Sequence, residues 1–244
     1  YNWERVKKHP QLVGDFVWSA WDYLGEACIG DWTYHSYKGL PLLAGQGMID
    51  ITGKPLASMY FMQIVWGLRK KPFIGVRPVN HAKEAPSTGA WQFTNAIDSW
   101  SWQGFEGTKA TVEVYADAAA VRLKLNGMEI ATKPVKKYKA LFKVAYKSGT
   151  LMAEALDDKG DVISNHSLTT AGTETVLTVR HEKTVLRANN QDLCYLSIEF
   201  TDKAGNLKPY VEQRVEIDVS GAATLAGFGS ALCKTDEVFD KNYH

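Results

Sequence analysis

The spacing of apolar residues along this chain changes character near residue 72. Before that point they come in one short block or at helical intervals. Residues 13–18 form an apolar run closed by the polar turn after Asp22, and predict a buried strand. Residues 25–47 are rich in glycine, aromatic and small polar residues. A connection of that length predicts a functional loop. After Thr52-Gly53-Lys54-Pro55, the residues Leu56, Met59, Tyr60, Ile64 and Leu68 recur at the helical period, so a helix is predicted over 56–69. Arg69, Lys70 and Lys71 suit the negative end of its dipole, and Pro72 blocks continuation. Residues 3–8 read as the end of another helix, stopped by Pro10. With Tyr1 where a methionine would stand, they lead to the expectation of a fragment that begins inside a larger element.

Beyond residue 72 the period becomes two. Val112 and Val114, then Val121, Leu123 and Leu125, alternate with residues such as Arg122 and Lys124 that point the other way, as in half-buried antiparallel strands. Asn126-Gly127 supplies the positive φ angles of a tight turn and predicts a hairpin with residues 128–132. Turn signals at Asp157-Asp158-Lys159-Gly160 and at 202–206 separate further strands predicted over 151–156, 162–168, 193–201 and 215–219. Such spacing predicts immunoglobulin-like β-sandwiches. About 170 residues exceed one such domain, and the polar stretch 169–173 with Gly172 makes a linker. The expected units are therefore 1–72, 73–170 and 171–244, with truncation of the last among the expectations.

Charge removes several function classes. The formal net charge is +1 and no five like charges run together, so the footprint of a nucleic-acid binder is missing. No apolar stretch approaches the roughly 20 residues of a membrane span, and the first residues carry no signal-peptide pattern. Cys28, Cys194 and Cys233 are far apart, without C-x-x-C or a neighbouring histidine cluster. That spacing argues against a zinc site or disulfide scaffold and predicts isolated thiols. No cofactor is expected.

The run Gly14-Asp15-Phe16-Val17-Trp18-Ser19-Ala20-Trp21-Asp22-Tyr23-Leu24-Gly25-Glu26 resembles the last barrel strand and following loop of family 2 glycoside hydrolases. Gly47-Met48-Ile49-Asp50-Ile51-Thr52-Gly53-Lys54-Pro55 resembles the phrase that opens the last barrel helix there. Trp91, Ser99-Trp100-Ser101-Trp102, Val112-Glu113-Val114-Tyr115, residues 121–127, Gly149-Thr150-Leu151 and Thr170-Ala171-Gly172 resemble the accessory sandwich behind that barrel. The resemblance implies a mainly β chain: immunoglobulin-like β-sandwiches preceded by the final strand, loop and helix of a (β/α)8 barrel. It implies a parent that is a retaining, β-galactosidase-like enzyme acting on terminal β-linked sugars. Its two catalytic glutamates, about 5 to 5.5 Å apart in such enzymes, would lie on earlier barrel strands. Neither is present here, so the chain alone is expected to be inactive.

Sugars offer C–H faces and hydroxyls, so their pockets need flat aromatics and carboxylates or amides. By resemblance Trp18 stands at the strand end beside the cleaved sugar; its alternative is a wall tryptophan of the core. Trp21 reads as structural. Asp22 and Glu26, four apart, look like a catalytic pair, yet a strand end and loop do not fix their separation. Substrate hydroxyls or loop bracing suit both better. Trp32, Tyr34, His35 and Gln46 lie on the same loop, and Gln46 stands where relatives often have asparagine. The candidate substrate-binding set is thus Trp18, Asp22, Glu26 and Gln46, with no metal ligands.

Two other classes stay open. Trp91, Trp100 and Trp102 are close in sequence and could form a carbohydrate-binding module, or cover the joint between barrel remnant and sandwich. A structural or adhesive sandwich pair is the other reading, since fold does not fix function. The expected partner is an oligosaccharide or β-glycoside substrate in the parent, with no nucleic acid and no membrane. An incomplete last sandwich would leave an unpaired edge through which homo-oligomers form. By resemblance alone the parent is expected to be an exported bacterial protein, periplasmic or extracellular.

Overall fold

A computed structural model describes residues 2–89 and 91–243. Helix α1 (Asn2–Lys8) opens the chain. Strands β1 (Trp32–Thr33) and β2 (Leu40–Pro41) follow in the long loop, then helix α2 (Ala57–Val65), β3 (Phe73–Val76) and β4 (Ser87–Thr88), which pairs back onto β1. Seven longer strands continue: β5 (Lys109–Tyr115), β6 (Ala120–Leu125), β7 (Met128–Pro134), β8 (Lys139–Ala145), β9 (Thr150–Leu156), β10 (Val162–Thr169) and β11 (Val176–His181). They are followed by β12 (Leu196–Thr201) and the short β13 (Lys234–Thr235), which returns to pair with β2. No helix among the described residues is long and apolar enough to cross a membrane.

Two antiparallel sheets form the sandwich, one in the order β3-β5-β8 and the other β10-β9-β6-β7. Between them the inward residues of the alternating strands meet: Val112 and Val114 of β5, Val121 and Leu123 of β6, Phe142 of β8 and Leu151 of β9 are all buried. On the outer face of β6, Arg122 and Lys124 converge on Glu154 of β9 at 3.2 and 2.7 Å. The hairpin turn has φ of 52° at Asn126 and 79° at Gly127, as the sequence demands of a tight turn. Asn126 also accepts from Thr150 N at 2.8 Å, tying the turn to β9.

Sheet β3-β5-β8 is covered on its other face too. There Phe61 and Met62 of α2 meet Phe73 and Tyr115, with Tyr60 stacked on Phe73 at 4.3 Å and Phe61 edge-on to Tyr115 at 5.3 Å. The same face holds a fully buried carboxylate. Glu113 accepts from Arg77 Nε at 2.6 Å, Thr94 Oγ1 at 3.0 Å, Tyr115 OH at 2.9 Å and Lys139 Nζ at 3.0 Å. Burial alone would raise its pKa, but the Lys139 and Arg77 charges outweigh that and hold it below the usual carboxylate value.

Several local expectations need correction. Helix α2 stops at Val65 with cap Trp66, and the stop comes from Gly67, whose φ of 74° reverses the chain. Gly67 N donates to Ile64 O and Leu68 N to Gln63 O, the paired bonds of a Schellman end, so Pro72 and the three basic residues lie beyond the helix. The predicted strand over 13–18 does not form: Val13 and Phe16 stand exposed and no described strand runs beside them. An apolar run becomes a strand only when another backbone takes up its hydrogen bonds. Residues 215–219 likewise show only an isolated bridge between Glu216 and Tyr243. Among the described residues after 171, β11 and β12 pair antiparallel with each other, and the short β13 pairs with β2. The stretch 169–173 is not a free linker, since Thr170 donates to Trp100 O at 2.7 Å and Ala171 N to Ser101 Oγ at 2.9 Å.

Replacing Glu113 with glutamine leaves Arg77 and Lys139 without their counter-charge inside the fold and should cost about 2–4 kcal/mol. Because the folded pKa is lowered, the carboxylate's contribution is present above its unfolded value of 4.5 and disappears as pH falls through the folded value. Denaturation midpoints of wild type and Glu113→Gln should therefore differ at pH 7 and converge in acid; parallel curves would contradict this.

Candidate functional site

The long loop is shaped by carboxylates that bind its own backbone. Residues 19–25 run beside 42–49, with a parallel bridge from Trp21 to Ile49 and an antiparallel one from Leu24 to Leu43. Asp22 is buried at this crossing. Its carboxylate accepts from Gly45 N at 3.0 and 3.1 Å and from Gln46 N at 3.3 Å. A side chain on Gly47 would fall on Asp22 N, which explains a glycine there. Asp50 closes the next turn by accepting from Thr52 N at 2.8 Å and Lys54 N at 3.0 Å.

That crossing sets four side chains together. Tyr23 OH donates to Glu26 Oε2 at 2.5 Å, and accepts from Gln46 Nε2 at 2.6 Å and from Trp18 Nε1 at 3.3 Å. The Glu26 carboxylate raises the phenol's pKa above its ordinary value. Trp18 stands edge-on to Tyr23, at 6.3 Å between ring centres and 83° between planes, and is 65% exposed. Trp18 is therefore an accessible aromatic surface here, while Glu26 is exposed and Gln46 is buried beneath it. The Trp18–Ser19 peptide is cis.

The remainder of the loop is anchored to the sandwich. Trp32 Nε1 donates to Gln92 O at 2.9 Å, and the Arg77 guanidinium lies 4.8 Å over the Trp32 ring. Tyr34 is stacked on His81 at 4.4 Å and accepts from Asn95 Nδ2 at 2.9 Å. Asp31, between these contacts and Asp22, is pushed up to about 6 by burial, against the lowering effect of its bond from Trp32 N, with the Asp22 charge adding to the rise. The Gln92 amide, oriented to donate, reaches Asp31 Oδ1 at 3.0 Å.

The predicted residues separate by role. Trp18, Glu26 and Gln46 are brought together, whereas Asp22 spends its oxygens on loop backbone and is not paired with Glu26. Trp32 and Tyr34 serve packing, and His35 is exposed. Trp21 is exposed, with its ring edge beside Gly53. Trp100 and Trp102 sit in the sandwich core, Trp100 Nε1 bonded to Lys147 O at 3.0 Å and Trp102 stacked on Tyr210 at 6.1 Å. They cover neither a sugar nor the joint with residues 1–72; of the three tryptophans only Trp91 is exposed, at 57%. Tyr23, the hub of the cluster, was overlooked although it lies between Asp22 and Glu26 in the same motif. The cysteine expectation fails as well: Cys28, two residues after Glu26, is joined by a disulfide to Cys233, 205 positions on, with Cα atoms 5.9 Å apart. Spacing rules see only neighbours in sequence, and the β2–β13 pairing makes these two neighbours in space. Cys194 is the free thiol.

Residues 177–244 match the domain described as glycoside hydrolase family 2 C-terminal domain 5. A solved family 2 glycosyl hydrolase from Bacteroides cellulosilyticus superposes with a TM-score of 0.85 at 28% identity, covering 99% of this chain and 32% of that one. The chain is thus similar to members of glycoside hydrolase family 2 over nearly its whole length. Among curated relatives, a β-galactosidase of Bacteroides ovatus is 25% identical over 226 residues, covering 91% of this chain and 23% of the relative. A putative β-glucuronidase of Formosa agariphila is 29% identical over 225 residues, covering 90% of this chain and 19% of that one. The chain thus spans roughly a fifth to a quarter of the curated relatives it matches. Residues 107–164, within the sandwich, match a domain of unknown function. The mainly β architecture agrees with the family's carboxy-terminal β domains.

Two measurements bear on this region. Asp31 binds a proton in the folded state up to about pH 6 but in the unfolded state only to its ordinary value of 3.8. Stability should then fall as pH rises from about 4 to 6 and level off above, by roughly 1–3 kcal/mol, and Asp31→Asn should flatten that segment of a stability–pH curve. Reduction, or Cys28→Ser, should lower stability by about 2–5 kcal/mol in the chain-entropy view of a long closed loop. Calorimetry with and without reductant reads it directly, and an unchanged midpoint would contradict the pairing.

Proposed function

We propose that this chain is the carboxy-terminal portion of a retaining family 2 β-glycosidase of the β-galactosidase type, hydrolysing terminal β-linked sugars. In this reading it supplies one wall of the sugar pocket: Trp18 stacks on the C–H face, Glu26 and Gln46 meet hydroxyls, and Asp22 holds the loop that carries them. The observation that carries the proposal is an exposed tryptophan ring held against a carboxylate and an amide by one tyrosine hydroxyl. That pairing of a flat apolar face with polar groups is what a sugar requires.

The division into 1–72, 73–170 and 171–244 belongs to the same proposal, with 1–72 as the last strand, loop and helix of a (β/α)8 barrel. In support, residues 20–22 make a parallel bridge to Ile49, a loop and helix α2 follow, and an apolar cleft lined by Trp3, Val17, Met62, Trp66 and Leu68 lies open beside them. A barrel strand needs neighbours to cover such a face. The catalytic glutamates would come from those neighbouring strands, leaving this chain inactive alone. The Cys28–Cys233 disulfide supports an exported protein, since such bonds persist in oxidising compartments. The outer edges of β11 and β12 would serve any pairing between copies.

The test is hydrolysis of a panel of nitrophenyl β-glycosides by this chain alone and by the chain carrying its native upstream sequence. Activity is expected only in the longer protein, with kcat/KM reduced about tenfold or more in Trp18→Ala, the loss of one stacking face. Turnover by the short chain would show that the reading of missing carboxylates is wrong, and inactivity of the longer protein on every glycoside would overturn the proposed function.

A further inference from the structure

Tyr23 determines which atoms of the cluster are left for a ligand. A phenol hydroxyl has one proton and accepts with its oxygen, whereas a carboxylate only accepts. The Tyr23 proton therefore goes to Glu26 Oε2, and the oxygen faces the two donors, Gln46 Nε2 and Trp18 Nε1. This holds the Gln46 amide one way round. Turned over, its oxygen would sit where Nε2 now lies, 2.6 Å from the Tyr23 oxygen and 3.5 Å from Glu26 Oε2, acceptor against acceptor at both. With Nε2 committed inward, the remaining polar atoms are Gln46 Oε1 and Glu26 Oε1. Both are acceptors, and neither has a protein partner among the described residues, where no Lys or Arg side chain forms an ion pair with Glu26 either.

We infer that this cluster selects an uncharged sugar ring over a uronic acid, with Tyr23 as the positioning residue that sets the preference. The inference rests on the reading of the cluster as a sugar-contact wall. An acceptor-only pair beside an exposed tryptophan face matches a ring that offers hydroxyl donors and C–H bonds. A uronate carboxylate is itself acceptor-only and negatively charged, so it would meet Glu26 with like charge and no donor to hold it. The relatives do not decide the matter, because one is named a β-galactosidase and the other a putative β-glucuronidase.

In the protein carrying its native upstream sequence, kcat/KM for nitrophenyl β-galactoside should exceed that for the β-glucuronide by about a hundredfold or more, the scale on which unmatched polar groups discriminate. Glu26→Gln gives the site a donor and removes its charge, and Tyr23→Phe removes the closer of the two contacts that hold the Gln46 amide one way round. Each should narrow that ratio about tenfold. A merely structural Tyr23 would lower both substrates in proportion and leave the ratio unchanged. Equal or better turnover of the glucuronide by wild type, or an unchanged ratio in both variants, overturns the inference while leaving the glycosidase reading intact. If no β-glycoside is hydrolysed, that reading fails, and the Trp18 indole N–H resonance of this chain decides the inference. Titrated with galactose and with glucuronate, and assigned through Trp18→Phe, it should respond to galactose alone; an equal response, or none, overturns it.

Discussion

A carboxylate with no solvent contact must be surrounded by donors, and at Glu113 those donors come from four separate stretches of chain. Arg77 follows β3, Thr94 lies on the segment that returns from β4, Tyr115 ends β5 and Lys139 begins β8. The charge can stay buried only if all of these are in place, because an unpaired ion inside a protein costs several kcal/mol. Its demands therefore fix the relative position of β5, β8, the residue that follows β3 and the segment that carries Thr94. Arg77 carries the constraint outward: its other face lies over Trp32, inside the long loop.

From Trp32 the order extends to the candidate site through backbone rather than through side-chain packing. Asp31, Asp22 and Asp50 each take up N–H groups of the loop that β-structure would otherwise satisfy. The result is an irregular segment whose turns are closed by side-chain carboxylates, with Trp18, Tyr23, Glu26 and Gln46 on its crossing. Catalytic and binding groups are commonly carried on loops set by a rigid scaffold, and here the scaffold is the face of β3-β5-β8 turned toward α2.

What the sequence disclosed depended on how local the physics was. The alternation of Val112 with Val114 and of Val121 with Leu123, and the positive φ angles asked of Asn126-Gly127, are properties of a few neighbouring residues, and they appear as predicted. Residues 13–18 and 215–219 have strand-like composition, but pairing is decided by another backbone that composition does not contain. Glu113 reads in sequence like any outward residue of a half-buried strand; only α2 laid over that face turns it inward. Trp18, Glu26 and Gln46 were legible because motif resemblance singled them out, whereas Tyr23 escaped because a tyrosine beside two carboxylates draws less notice than the carboxylates. The bond between Cys28 and Cys233 left no trace in spacing at all.

That bond makes a covalent ring of almost the entire chain. The whole sandwich, helix α2 and the β11–β12 pair lie between its two ends, with only the first stretch and the final few residues outside. A protease cutting any single peptide bond inside the ring would leave both pieces attached under non-reducing conditions. The sandwich also cannot be excised as an independent module without opening the ring, so in topological terms its two chain ends belong to the long loop as much as to the sheets.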